Sequence, residues 1–291
     1  MAQYQGSVLR EGLVFGECPR WHDGRLWYSD FYEHAVHALV PGGADERVVE
    51  VPGQPSGLGW RPDGSLLIVS MTDRRVLRLD PDGSLSEYAD LSQHATFHCN
   101  DMAVDAAGRA YVGHFGYNLF ALRAGEQVQP RRASLIRVDP DGQVSTAADD
   151  MEFPNGTVIT PDGQTLIVAE TMGRRLTAFD IAGDGTLGGR RVWADLAAHQ
   201  IAPDGICLDA SGAVWVANAA GSNAVRVAEG GELLDVAAFS QTCIACMLGG
   251  PDGRELFAMT APPTIVPEEL SATPGARIES ARVEVGHAGL P

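Results

Sequence analysis

The order of apolar and polar positions along this chain repeats six times. A turn glycine recurs at Gly24, Gly64, Gly108, Gly163, Gly212 and Gly253, at spacings of 40 to 55 residues. Polar turn formers precede each one, as in Pro62-Asp63, Pro161-Asp162 and Pro251-Asp252. Such residues suit a tight hairpin, because Asp caps the turn and Gly accepts a positive φ. A short apolar run follows each glycine, among them Leu26-Trp27-Tyr28, Leu66-Leu67-Ile68-Val69, Leu166-Ile167-Val168 and Val214-Trp215-Val216. These runs do not alternate, which predicts strands buried on both faces. A third stretch does alternate in most units, as in Val76-Leu77-Arg78-Leu79 and Leu135-Ile136-Arg137-Val138. Its arginines face water while the neighbours pack inward. A further turn, clearest in Asp80-Pro81-Asp82-Gly83, leads to an outer strand such as Val48-Val49-Glu50-Val51 or Arg191-Val192-Trp193-Ala194.

Four strands per unit, six times over, predict an all-β six-bladed β-propeller occupying residues 1–291 as a single domain. The last unit is one strand short, since the chain ends soon after its run at Ile278 to Val285. Gly6-Ser7-Val8-Leu9 precedes the first unit and could supply the missing outer strand, joining the first and last blades and leaving no open edge. The third unit is the longest. Its insertion, Tyr117 to Arg132, reads equally as a substrate-selecting lid or as a passive surface loop.

Composition supports the turn-rich reading, with 34 glycines and 17 prolines. The net charge of −17 and the absence of a Lys/Arg cluster argue against nucleic acid as a partner. The five cysteines (Cys18, Cys99, Cys207, Cys243 and Cys246) are odd in number and scattered. With no secretory signal and no apolar run of membrane length, they point to reduced thiols in a cytoplasmic protein that binds no membrane. Cys243 and Cys246 have the spacing of a zinc or redox pair, but no second pair or neighbouring His accompanies them, so buried thiols are expected.

Candidate chemistry emerges from superposing the six units on their turn glycines. Eight residues before each glycine stand Gly16, Ser56, Asn100, Asn155, Asp204 and Ala245, all predicted to begin the innermost strand at the mouth of the central channel. Asn100, Asn155 and Asp204 are oxygen donors, and Glu17 lies one position off the column. Any one of them alone could be a local Asx cap. Four converging on one channel mouth suit a hard divalent cation, whose charge two carboxylates would offset.

Gly16-Glu17-Cys18-Pro19-Arg20-Trp21, Asn100-Asp101, Pro154-Asn155-Gly156, Ala169-Glu170-Thr171, Pro203-Asp204-Gly205 and Cys246-Met247-Leu248-Gly249-Gly250 resemble, in order, the motifs of the regucalcin (senescence marker protein)/gluconolactonase family. The resemblance implies a six-bladed propeller with one divalent metal held by Glu17, Asn155 and Asp204. It also implies a substrate contact at Asn100 and a general base at Asp204. Calcium is the foremost expectation for the cation, with zinc, magnesium or manganese compatible with the same ligands. The chain departs from the family where a substrate-contacting Arg is expected shortly before the Asn, since Phe97-His98-Cys99 stands there. Its insertion does not align either.

The expected activity is metal-assisted hydrolysis of a lactone. The cation would polarise the carbonyl oxygen, and Asp204 or a hydroxide on the cation would deliver the attack. His98 and His114 are further candidates for substrate binding, against a plain packing role. Glu170 reads either as a channel-lining carboxylate or as the cap of the following turn. No serine sits in a strained Gly-x-Ser-x-Gly elbow, which removes a serine triad from consideration. Two rival readings remain: phosphotriester or fluorophosphate hydrolysis at the same site, and a non-catalytic calcium-binding or interaction propeller. The partner expected is a small-molecule substrate, with the protein a monomer or small homo-oligomer.

Overall fold

The computed structural model describes residues 1–263 and 267–289. Six sheets, antiparallel but for one added outer strand, are arranged in a ring, a six-bladed β-propeller. Blade one comprises Gly16–His22, Arg25–Asp30, Ala35–Leu39 and Asp45–Glu50, from the channel outward. The inner strands of the following blades are Pro55–Trp60, Cys99–Val104, Pro154–Ile159, Pro203–Leu208 and Thr242–Gly249. Each inner strand packs against the next, and the sixth against the first.

Burial follows the predicted pattern. Every residue of the second strands Leu66–Ser70, Ala110–His114 and Val214–Asn218 is buried, because each blade is covered on both faces by its neighbours. Outer strands such as Asp45–Glu50 are half-exposed. Leu67, Val69, Met102, Val112 and Ile136 form one of several clusters that bind adjoining blades together. All five cysteines are buried free thiols. Among the described residues, no helix is long and apolar enough to cross a membrane.

The N-terminal stretch closes the ring as expected. Ser7–Leu13 pairs antiparallel with Ala276–Arg282 and completes blade six. The pattern gives no hint of the strand before it. Ala2–Gln5 runs parallel to Leu233–Ala238 and makes blade five a five-stranded sheet. The chain therefore crosses from blade five to blade six within its first 13 residues, turning at Gly6, where a Cβ would meet the Phe239 ring.

One register detail decides how the site is built. In blade two the inner hairpin pairs Trp60 with Leu66 around a loop in which Arg61 N–H donates to Ser65 C=O (2.9 Å). Blade one pairs His22 with Arg25 and turns through Asp23 (φ 47°) and Gly24 (φ 74°) alone. Two successive positive φ values make this a two-residue primed turn, one residue shorter than its counterpart. The shorter turn brings Glu17, rather than Gly16, level with Ser56, Asn100, Asn155 and Asp204. The pairs Gly16–Asp30, Pro55–Ser70, Cys99–His114, Pro154–Glu170 and Pro203–Asn218 occupy one level, and the next residue on each inner strand is the candidate.

Candidate functional site

Glu17, Asn100, Asn155 and Asp204, each second on its inner strand, line a single cavity of about 210 Å³ at one mouth of the channel. From blade four to blade six the inner strands pack so closely that the position after Asn155 and after Asp204 has no room for a side chain. A Cβ on Gly156 would lie 2.5 Å from Asp204 O and from Ile206 N, and one on Gly205 would lie 2.6 Å from the Ala245 Cβ. Asn155-Gly156 and Asp204-Gly205 are therefore strand residues at a close backbone approach. The turn that such dipeptides ordinarily signal lies elsewhere.

Polar contacts link the four blades. The Asn100 amide donates from Nδ2 to Asn155 Oδ1 (3.0 Å), and Ser56 Oγ donates to Asn100 Oδ1 (3.5 Å). Asn155 Nδ2 donates to Thr171 Oγ1 (3.2 Å), whose hydroxyl donates to the Pro203 carbonyl (2.7 Å) beside Asp204. The Glu17 carboxylate accepts from the Cys18 N–H (3.0 Å). Beneath this layer Arg20 and Asp101 form a buried ion pair at 2.6 Å, and Arg20 also donates to the Met102 carbonyl.

Electrostatically the layer is unfavourable as it stands. Burial raises the Asp204 carboxyl to about 7, Asp101 adds to the rise, and the Asn155 side chain opposes it. Burial likewise pushes Glu17 well above the usual carboxylate range, with the Asp204 charge as the next cause. Asp204 Oδ1 is buried with no hydrogen-bond partner among the described residues. An orphaned buried carboxylate oxygen ordinarily costs stability, and its presence needs an explanation. A divalent cation is one: the donor set of two carboxylates and two amides is hard and oxygen-only. Among the described residues no three His, Cys, Asp or Glu side chains cluster at metal-binding spacing, so the amides would have to complete such a site.

His98 and His114 are not brought to the cavity wall. His98 stacks on Phe97 (4.1 Å between centroids), and burial lowers its imidazole to about 4. His114 is 1% exposed; its Nδ1 accepts from Gly116 N–H (3.1 Å), and its Nε2 lies 3.0 Å from the Ser134 amide and 3.2 Å from Ser134 Oγ. Burial lowers it to about 4 as well. The physical reason is its level. His114 ends the second strand of blade three, where Asp30, Ser70, Glu170 and Asn218 end theirs. Asp30 takes the amides of Val14 and Phe15, Glu170 that of Glu152, and Asn218 that of Ala202. Asp30, Glu170 and Asn218 thereby anchor the loops that enter their inner strands, whereas His114 holds Gly116 and Ser134 on either side of the insertion. Glu170 is fully buried and bound by Arg175 and Thr177.

The insertion does reach the site. Leu119–Arg123 forms a short helix capped by Asn118, and Leu119, Phe120 and Arg123 line the cavity. The Arg123 guanidinium acts to lower the Asp204 carboxyl, the smallest of the influences on it. Nothing in the sequence pattern singles out Arg123, because an insertion has no sister unit to be compared with. The Arg20–Asp101 pair lies within quoted motifs, but only the folded channel joins its two halves.

Known proteins agree with this architecture. Residues 15–262 match the model of the SMP-30/gluconolactonase/LRE-like region. A pentonolactonase of Haloferax volcanii is 31% identical over 263 residues, covering 87% of this chain and 84% of its own. A 6-deoxy-6-sulfogluconolactonase of Pseudomonas putida is 27% identical, covering 92% and 90%. The crystal structure of a calcium-binding protein, regucalcin, from Agrobacterium tumefaciens superposes with a TM-score of 0.80 at 22% identity, over 100% of this chain and 98% of that one. The chain is a member of the SMP-30/gluconolactonase/LRE-like family.

Proposed function

We propose that this protein is a divalent-cation-dependent lactone hydrolase, with Glu17, Asn155 and Asp204 as the cation's ligands and Asn100 as a substrate contact. The observation that carries the reading is the convergence of these four residues on one cavity with Asp204 Oδ1 buried and unpaired. Relatives named as lactonases, one 31% identical over most of both chains, support the substrate class. When bound, the cation would supply a Lewis acid for the lactone carbonyl oxygen and offset the two carboxylates. An all-oxygen donor set suits calcium, magnesium and manganese, and calcium is the first to be tested.

The chain's own residues do the rest. The Asn100 amide orients the substrate's carbonyl or a ring hydroxyl. Asp204 takes a proton from water as that water's oxygen attacks the carbonyl carbon. The carbonyl then re-forms as the ring C–O bond breaks, and the departing oxygen takes that proton from Asp204, giving the hydroxy acid and restoring the carboxylate. Closely packed inner strands hold these groups in place before substrate arrives, which is how positioning lowers a barrier.

Asp204→Ala at saturating calcium is expected to lower kcat by at least about 100-fold while the circular dichroism spectrum is unchanged. Full turnover by that variant would remove Asp204 from the mechanism. Aryl phosphotriesters assayed beside a lactone panel would be hydrolysed more slowly than the lactones.

A further inference from the structure

Two residues above the four polar residues along each inner strand the cavity changes character. At this level each residue ahead of an inner strand accepts a hydrogen bond from the residue after the second strand. Phe31 N–H donates to Phe15 C=O (3.0 Å), Phe115 to His98 (2.9 Å), Thr171 to Phe153 (3.1 Å) and Ala219 to Ala202 (3.0 Å). Phe15, Phe31, Phe115 and Phe153 line the cavity from this ring, and Phe120 joins them from the insertion helix. The rings touch one another: Phe15–Phe31 centroids are 5.5 Å apart, Phe115–Phe153 4.8 Å and Phe115–Phe120 6.2 Å. With Met71 and Tyr117 they make a hydrophobic cluster separate from those between the blades.

The fold does not demand these side chains. Phe153 sits at φ 65° and Gln54, its counterpart in blade two, at φ 66°, so the same backbone position carries a polar residue elsewhere in this chain. Beyond the four polar residues, the wall adds, among the described residues, only Tyr32, Thr242 and Arg123 as hydrogen-bonding side chains. A polyhydroxylated lactone buried here would leave ring hydroxyls against phenyl faces. Each hydroxyl left unpaired there weakens binding, because it gives up its hydrogen bonds to water. An alkyl or aryl arm in the same place gains from leaving water.

We propose that the site, on the reading of it as a lactone hydrolase, takes lactones whose ring carries an apolar substituent in preference to polyhydroxylated sugar lactones. The carbonyl end lies on the polar floor of Glu17, Asn100, Asn155 and Asp204. The substituent extends upward between Phe31, Phe115, Phe120 and Phe153, with the insertion helix as its outer wall.

Binding is measured apart from turnover, using lactams that resist hydrolysis. Isothermal titration calorimetry in calcium buffer compares 6-butyl-2-piperidone with D-gluconolactam, while hydrolysis of δ-nonalactone and D-glucono-δ-lactone is followed in parallel. The alkyl lactam is expected to bind at least about tenfold more tightly, and Phe120→Ser, at a half-exposed position, to reduce that preference by about tenfold. Equal binding of the two lactams, tighter binding of the gluconolactam, or no binding of either overturns the proposal. An alkyl preference in binding without turnover of either lactone upholds the apolar wall and refutes the hydrolase reading alone.

Discussion

Asp204 and Glu17 are two carboxyls on one wall whose protonation ranges burial raises, with the Asp204 charge adding to the rise at Glu17 and the Asp101 charge to the rise at both. Glu17 has a folded-state pKa above its unfolded one, so from about pH 4.5 upward its ionisation weakens the cation-free fold. A neutral isostere relieves that cost and removes a ligand. Glu17→Gln is therefore expected to stabilise the chelated protein by about 1–2 kcal/mol in urea unfolding at pH 8. The same variant should bind calcium at least about tenfold more weakly in calorimetry. A chelated Glu17→Gln less stable than the parent would contradict the electrostatic account. Asn100, Asn155 and Asp204 were legible in the sequence because sister units share their turn glycine. Glu17 fell one place out of line because its hairpin closes through Asp23-Gly24 alone, a difference in turn length that only the backbone displays. His98 and His114 attracted attention through their chemistry; His114 holds Gly116 and Ser134, and His98 stacks on Phe97 outside the cavity lining.

At the scale of the element, the strand order and the burial of the second strands follow directly from uninterrupted apolar runs after turn glycines. The inner strands were harder to read. Their glycines, Gly57, Gly156 and Gly205, stand where neighbouring backbones nearly touch, a long-range constraint with no local pattern. Gly156→Ala is expected to destabilise by about 1–3 kcal/mol, since its Cβ would lie 2.5 Å from two backbone atoms of the next inner strand. The displacement falls on Asp204, so turnover should drop more than stability alone explains. An unfolding midpoint and kcat both equal to the parent's would refute the close approach. The insertion helix Leu119–Arg123 was open in the sequence, and the structure resolves it as cavity wall. A five-residue helix held by an Asn118 cap has too little periodicity to announce itself.

For the whole molecule, closure depends on the first 13 residues. Ser7–Leu13 covers the edge of blade six, and Ala2–Gln5 that of blade five. Leu13 is 4% exposed within the blade-six core, with Tyr4 and Leu9 packed against the same cluster. Removing residues 1–13 is expected to cost on the order of 5 kcal/mol in urea unfolding and to produce dimers or larger species on size-exclusion chromatography, through the two uncovered edges. An unchanged midpoint would show that closure contributes little. The closing strand was legible because the sixth unit lacked one. The parallel strand was not, because blade five already had four.

The central claim is that the ring assembles Glu17, Asn155 and Asp204 around a divalent cation used to open a lactone. The most direct measurement is lactone hydrolysis by protein stripped with a chelator, with calcium, magnesium, manganese and zinc then restored one at a time. Activity should disappear on stripping and return with at least one cation, calcium foremost. Undiminished hydrolysis by the stripped protein would contradict the account.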